Sequence, residues 1–512
     1  MPPPEAITPP IEAAQTRFAL TGASVEHSTV FNVTELRALY APLIGKEVSL
    51  LDIYKLRDAI TAKYRAAGFV LSQAIIPPQR IEGGVVRLEV IEGFINAVTV
   101  EGDSGDRRNL VERIARKLSR ARPLNERDLE RAVLLIGDLP GVEARTVLKP
   151  SENTPGAAEL VVVVTRRAFA GSVSADNRGS LAIGPEQFSV AAVANSLLGQ
   201  GEQTTLQLVT TRKTRELRYL SLGHEDVLSA DGLRLGLSAS LSRSQPGGSA
   251  AILETRGEIR SFRANLSQPI VRSREKTLTI GTGVEILDSS NSIFGFEISD
   301  DRVRLAYVDL AFDYADTWFG DRYPASSLVR ARIDRGLNGW GATRTGSFAL
   351  SRADAVSDFT KISGEVTRLQ RLTSVLSLSV SAAGQYSLDP LLSSQQFGLG
   401  GARFGRGYEP SEILGDSGVA VSVEARVAPW ATSRARLRPQ LYAFYDAGVV
   451  WLKDTSTAGA DRSSLSSAGV GVSCYLGRAV LTQFEIAKPL TRQVASRGNE
   501  AIRPLFSIST AF

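Results

Sequence analysis

At 512 residues, with 43% hydrophobic residues and a mean hydropathy of −0.03, the chain can bury a sizeable core in several domains. No run approaches the roughly 18 apolar residues of a membrane-spanning helix, although an alternating membrane strand would escape that test. The charge of +5 is mild and its basic residues are scattered, which argues against nucleic acid as a partner; one cysteine, Cys474, rules out an intramolecular disulfide.

The chain begins "MPPPEAITPPIEAAQ", with no apolar core of a signal peptide, and residues 1–17 read as an extended, poorly ordered, Pro-rich lead-in. Residues 18–93 form a first mixed module. A strand is predicted at "RFALTGA" and a short helical piece near Val33 to Tyr40. The helix "SLLDIYKLRDAITAKYRAAG" follows, capped by Ser49, with Ile53, Leu56, Ile60 and Tyr64 on one face before Gly68 ends it. Strands at "FVLSQAIIPPQ" and "GGVVRLEVIEG" complete a β-α-α-β-β unit. Residues 94–168 repeat the order: "INAVTVEG", a helix with Leu110, Ile114 and Leu118, a second helix capped by Asn125, then "EARTVLKP" and "AELVVVVTRR". Two copies about 75 residues apart are an internal duplication, and each exposes a sheet edge that can accept an extended polypeptide.

From residue 169 to 512 the helical period gives way to alternation. Leu233, Leu235, Leu237, Ala239 and Leu241 oppose Arg234, Gly236, Ser238 and Ser240, and Leu376, Leu378, Val380, Ala382 and Tyr386 oppose Ser377, Ser379, Ser381 and Gln385. Val419, Val421, Val423 and Val427 oppose Ser422, Glu424 and Arg426. A soluble sandwich also alternates. About 340 residues without a credible helix exceed one sandwich, however, and the chain ends with Phe506, Ile508, Thr510 and terminal Phe512 on one face. With spans of about 9 to 11 residues plus turns and loops, the region fits an all-β transmembrane barrel of about 16 antiparallel strands.

Between two of those strands lies "GGARFGRGYEPSEILGDSG", residues 400–418. A nucleophile at Ser417 would need a histidine base, and His27 and His224 both lie far away. A phosphate loop would need a lysine and a following helix, and neither is present. No catalytic residue, metal site or cofactor is expected. Both histidines read as solvent-facing, and Cys474, alternating with Val470 and Val472, as lipid-facing. In "LYAFYDAGVVW", Tyr442, Phe444, Asp446 and Gly448 share one face, and the cost of a charge in lipid turns Asp446 inward.

Two duplicated modules before a barrel of this size resemble the two-partner secretion transporters (the TpsB type, hemolysin secretion/activation proteins) of the outer-membrane superfamily that carries POTRA domains. The resemblance runs from about Phe18 to the end. It rests on "YRAAGFVLSQAIIPPQRIEGGVVRLEVIEGFINAVTVEG", on "LPGV" (Leu139 to Val142) and on "DNRGSLAIG" (Asp176 to Gly184). "FGRGY" resembles the superfamily's motif at the tip of a long loop folded back into the barrel, with Gly405 where valine is common. "FYDAG" resembles the wall motif that the arginine meets. The resemblance thus implies an inward loop near 400–418, a loop-anchoring set Gly405, Arg406, Gly407 and Tyr408, a wall partner set Phe444, Asp446 and Gly448, and Phe512 as the assembly signal read by the barrel-assembly machinery.

The 17 or so residues before the first module are too few for the plug helix and linker often found in such transporters. The implied function is capture of a large, β-helical exoprotein, still unfolded, by periplasmic POTRA modules, and its passage without ATP through a barrel embedded in outer-membrane lipid. The alternative is an insertase that assembles other barrels. A porin or an enzymatic barrel would leave the two modules without a purpose.

Overall fold

The computed structural model describes residues 10–102, 108–151, 153–198, 201–429, 437–453, 462–477 and 479–512. The first nine residues of the predicted lead-in lie outside them. The rest of the lead-in is not extended: Ile11–Ala14 form a 3-10 turn, Ala13 is buried, and the Thr16 carbonyl accepts the Leu50 amide at 2.9 Å.

The first module contains β1 (Arg17–Ala19), β2 (Gly22–Glu26), α1 (Val33–Tyr40), β3 (Glu47–Ser49), α2 (Leu50–Ala66), β4 (Gln73–Ile75) and β5 (Val85–Ile91). Reciprocal capping boxes open both helices, Asn32 with Glu35 and Ser49 with Asp52. The single strand predicted at "RFALTGA" is two. Leu20 bonds to Lys46 and Gly45, while Thr21 donates to Gly84, so the backbone changes partners there. β1 pairs with β3, and β2 runs parallel to β5 in a β2-β5-β4 sheet. The strand predicted over "FVLSQAIIPPQ" shrinks to β4 because Ser72 turns back onto Phe69 and Pro77 and Pro78 lack the donors a ladder needs.

The second module contains β6 (Phe94–Gly102), α3 (Arg108–Arg116), α4 (Glu126–Gly137), β7 (Val142–Pro150) and β8 (Ala157–Arg166). Its sheet order is β6-β8-β7, with β6 parallel to β8 as β2 is to β5. The two modules are joined by hydrogen bonds from the Leu124 amide to Gly93 and from the Glu126 amide to Gly68, each 2.8 Å. They form one compact unit ending at Arg166, and Arg167–Phe512 form a second.

That second unit opens with β9 (Phe169–Asp176), β10 (Gln187–Asn195), β11 (Gln203–Thr211), β12 (Leu217–Val227), β13 (Arg234–Ser244) and β14 (Arg256–Arg272). It continues with β15 (Lys276–Ile293), β16 (Phe296–Asp316), β17 (Ala325–Gly336), β18 (Thr360–Arg371) and β19 (Leu376–Ser387). A hairpin of β20 (Phe397–Leu399) and β21 (Ile413–Gly415) precedes β22 (Ser417–Val427), β23 (Leu437–Trp451), β24 (Arg462–Leu476), β25 (Val480–Pro489) and β26 (Arg503–Ala511). Omitting the hairpin, these form a closed antiparallel barrel of 16 strands. Val419, Val421 and Val423 are 48%, 43% and 38% exposed on the outer wall, whereas Ser422 and Glu424 are buried inside. The seam between β26 and β9 is short, running from Ser507↔Asp176 to Ala511↔Ser172.

Candidate functional site

The inner wall of β22, β23, β24 and β25 is laid out in cross-strand rows. One row is Ser422, Asp446, Ser467 and Pro489; the next is Glu424, Phe444, Gly469 and Ala487; a third is Arg426, Tyr442, Gly471 and Glu485. The glycines make room for rings: a Cβ on Gly469 would stand 2.4 Å from Phe444 Cζ, and one on Gly471 2.3 Å from Tyr442 Cζ.

Onto this wall folds the segment between β19 and β22. Its β20–β21 hairpin and the turn beyond bury Leu399, Phe404, Tyr408 and Ile413 against Ala420, Val450, Leu465 and Val494. At the tip, Gly405 has φ +88°, a left-handed conformation that a valine, common at this position in the motif, would strain to adopt. Gly407 lies so close to the wall that a Cβ would stand 2.7 Å from the Pro489 nitrogen and 2.9 Å from the Lys488 carbonyl carbon. Gly448 is likewise occupied from inside, with Leu399 Cδ1 2.6 Å from where its Cβ would be.

These contacts deliver Arg406 into a carboxylate cage. Its Nε donates to Asp446 Oδ2 at 3.0 Å and its Nη2 to Asp446 Oδ1 at 2.9 Å, the two-pronged geometry of a planar guanidinium. Nη1 donates to Glu424 Oε2 at 2.6 Å and lies 3.6 Å from Glu485 Oε2. The guanidinium carbon stands 3.4 Å above the Phe444 ring centroid, a cation–π contact. Asp446, fully buried, also accepts the amides of Gly405 and Arg406 at 3.2 and 3.0 Å and the Ser422 hydroxyl at 2.7 Å. Arg426 bonds Glu424, and Arg178, from the "DNRGSLAIG" connection, pairs with Glu485 at 3.4 Å, so three guanidiniums answer three carboxylates. Such balance is what makes burial of this much charge tolerable. Tyr408, 1% exposed, meets Thr491 and Arg492 through its hydroxyl.

The loop-tip residues and the wall residues are therefore together. Phe512 stands apart from them at the seam. Its backbone exchanges hydrogen bonds with Gly171 at 2.9 and 3.0 Å, and its ring occupies the space a Gly171 Cβ would need.

Sequence reading did not single out Glu485, Ser467 or Arg178 as parts of the cage, because they come from strands and a turn remote in the chain; Glu424 was visible only as a polar position facing valines. It also missed Asp416, in "GDSG". That carboxylate takes Arg352 Nη1 on both oxygens at 2.6 Å and the amides of Leu391 and Lys453 at 2.9 and 2.7 Å, tying neighbouring loops together. Ser417 Oγ accepts the Ser387 amide at 3.1 Å, a structural contact.

His27 is exposed, 3.0 Å from Glu89. His224 departs from the expectation of a solvent-facing residue: it shares the outer face of β12 with Leu220 and Leu222 and meets the Thr204 hydroxyl at 3.1 Å. Cys474 alternates on β24 with Val470, which is 56% exposed on the outer wall.

Comparison with known proteins adds three findings. Residues 156–474 match the model of the haemolysin secretion/activation protein family ShlB/FhaC/HecB, and residues 18–93 match the ShlB-type POTRA domain. The chain is 23% identical to the heme/hemopexin transporter protein HuxB of Haemophilus influenzae (strain 86-028NP) over 90% of its own length and 81% of that protein. It is 24% identical to the outer membrane transporter CdiB of Dickeya dadantii over 81% and 73%. The solved structure of CdiB from Escherichia coli superposes with a TM-score of 0.78 at 20% identity, covering 99% of this chain and 93% of that one, a likeness of fold.

Proposed function

The chain belongs to the haemolysin secretion/activation protein family, two-partner secretion transporters of the outer membrane, and from that premise we propose that its inward loop is the element that holds the barrel ready for cargo. The observation that carries this is the burial of Arg406 among Asp446, Glu424 and Glu485, which fixes the loop in the lumen. A chain crossing the barrel has to share that lumen with the loop. On this reading the modules lie in the periplasm and capture the exoprotein while it is unfolded. The edge strand β7, hydrogen-bonded to β8 on one side, can add an extended segment through backbone bonds that demand little of its sequence. No step requires ATP.

The insertase alternative has no observation of its own here: the family match is to secretion proteins. The test is deletion of residues 18–93, scored by appearance of a co-expressed partner exoprotein in the medium. We expect secretion to be lost while the barrel, which buries its own core, still migrates as a folded, heat-modifiable species. Wild-type secretion by the deletion variant would remove the capture role.

A further inference from the structure

The strand rows of the outer wall change character abruptly between β12 and β16. One row runs Leu222, Ala239, Phe262, Ile286, and the next Leu220, Leu241, Arg260, Asp288. The row beyond, nearest the barrel end opposite Phe512, is Arg218, Arg243, Glu258, Ser290. An apolar belt therefore gives way within two rows to a basic patch, which surrounds an open cavity of about 590 Å³ lined by Arg215, Arg218, Arg243, Arg256, Glu258 and Glu297 among others.

Two features of this patch call for an anion. Arg218 and Arg243 are direct cross-strand partners on one face, a like-charge pair that costs stability unless something negative lies between them. Glu258 is already taken, bonding Arg243 at 2.6 Å and pairing with Arg260 as well. Among the described residues Arg215, Arg218 and Arg256 have no carboxylate partner, and Arg218 Nε donates only to the Thr214 carbonyl, at 2.9 Å. Guanidiniums are suited to phosphate because their planar fork engages two oxygens at once.

We infer that this cavity binds the phosphorylated headgroup of a lipid in the outer leaflet, with Arg218 and Arg256 as the principal ligands and the Leu220, Leu241 and Phe262 surface holding its acyl chains. The placement rests on the outer-membrane reading above: Phe512 pairs with Gly171 at the start of β9, the strand that follows the modules, so with the modules in the periplasm the opposite end faces outward. A lipid is favoured over a free anion because the guanidiniums stand at the rim of the apolar belt, where a headgroup lies when its chains are in the bilayer.

The experiment measures binding to the purified full-length protein in detergent micelles, using bis-phosphorylated lipid A, the same lipid stripped of phosphate, and sodium pyrophosphate. It makes no use of secretion, so its failure and a failure of the transport reading are distinguishable. We expect the phosphorylated lipid to bind, with affinity falling about tenfold or more in R218Q/R256Q as charge-assisted bonds are lost, and pyrophosphate to bind far more weakly. Heat-modifiability confirms that the variant is folded; if the double variant fails to fold, R256Q alone is read the same way. Equal binding by the variant, equal binding of the dephosphorylated lipid, or pyrophosphate binding as tightly as the lipid would each overturn the proposal.

Discussion

Arg406 serves more than one carboxylate, and this ranks its variants. Removing it leaves Asp446, Glu424 and Glu485 with only Arg426 and Arg178 to balance them, so Arg406→Ala is expected to cost roughly 3–5 kcal/mol, the scale for breaking a buried pair. Asp446→Asn should cost less, because an amide oxygen still accepts from Gly405 and Arg406 and Glu424 still holds the guanidinium. Arg406→Lys should rescue poorly, since an ammonium cannot span both carboxylates. The temperature at which the heat-modifiable barrel is lost, followed for each single variant and for the double, gives the order. A double variant no worse than Arg406→Ala indicates one shared interaction, and strictly additive losses would contradict it.

A second residue-scale network lies in the first module. Burial pushes the Glu92 carboxyl up, but the Thr29 hydroxyl and amide, the Tyr64 hydroxyl and the Val30 amide outweigh it and hold the group below its ordinary value. The Ser49 amide and hydroxyl, with Lys55, bring Asp52 down to about 2. Both are acids depressed on folding, so their contribution is complete above the unfolded carboxylate range of about 4 and is lost as pH falls through the folded values. Hydrogen exchange of the Thr29 and Val30 amides should therefore accelerate relative to barrel amides as pH falls from about 4 through the more acidic range. Unchanged relative protection across that interval would count against the network.

Among the elements, the seam of β26 and β9 depends on the last residue. Phe512 extends the short ladder by two backbone bonds and covers Gly171. Deleting Phe512, or replacing Gly171 with valine to displace the ring, should lower the amount of folded barrel in outer-membrane fractions; equal amounts would show that the seam closes without it. The barrel itself was legible in the alternation of positions such as Val419, Val421 and Val423 against Ser422 and Glu424, because period two survives wherever one face meets lipid and the other does not. The inward-facing wall residue Asp446 was legible for the same reason. The break between β1 and β2 was not, since it arises from a change of partner at Leu20 and Thr21 to residues 25 and 63 positions further along the chain. The cage was legible only in part: Arg406 and Asp446 carry recognisable motifs, whereas Glu485 and Arg178 become neighbours through barrel closure, which no local pattern encodes.

At the scale of the whole molecule, one chain combines edge strands that can hold an extended polypeptide with a barrel whose lumen is occupied by an anchored loop. Its outer wall meets lipid and, at one end, presents a basic cavity. Further lumenal filling comes from Ala355, Phe359, Leu391 and Leu392, packed on Val303, Leu305 and Tyr307 of the inner wall, so transport must displace more than the loop tip. The central claim is that cargo passes through the lumen rather than across the seam. The most direct measurement places a photo-crosslinking residue at Ser381 on the inner wall, at Val421 on the outer wall or at Ser509 on the seam, with a partner exoprotein stalled in transit by a folded C-terminal fusion. Crosslinks from Ser381 and none from Val421 are the predicted result. Crosslinks confined to Ser509 and Val421, with Ser381 silent, would contradict passage through the lumen and point to an insertase working at the seam.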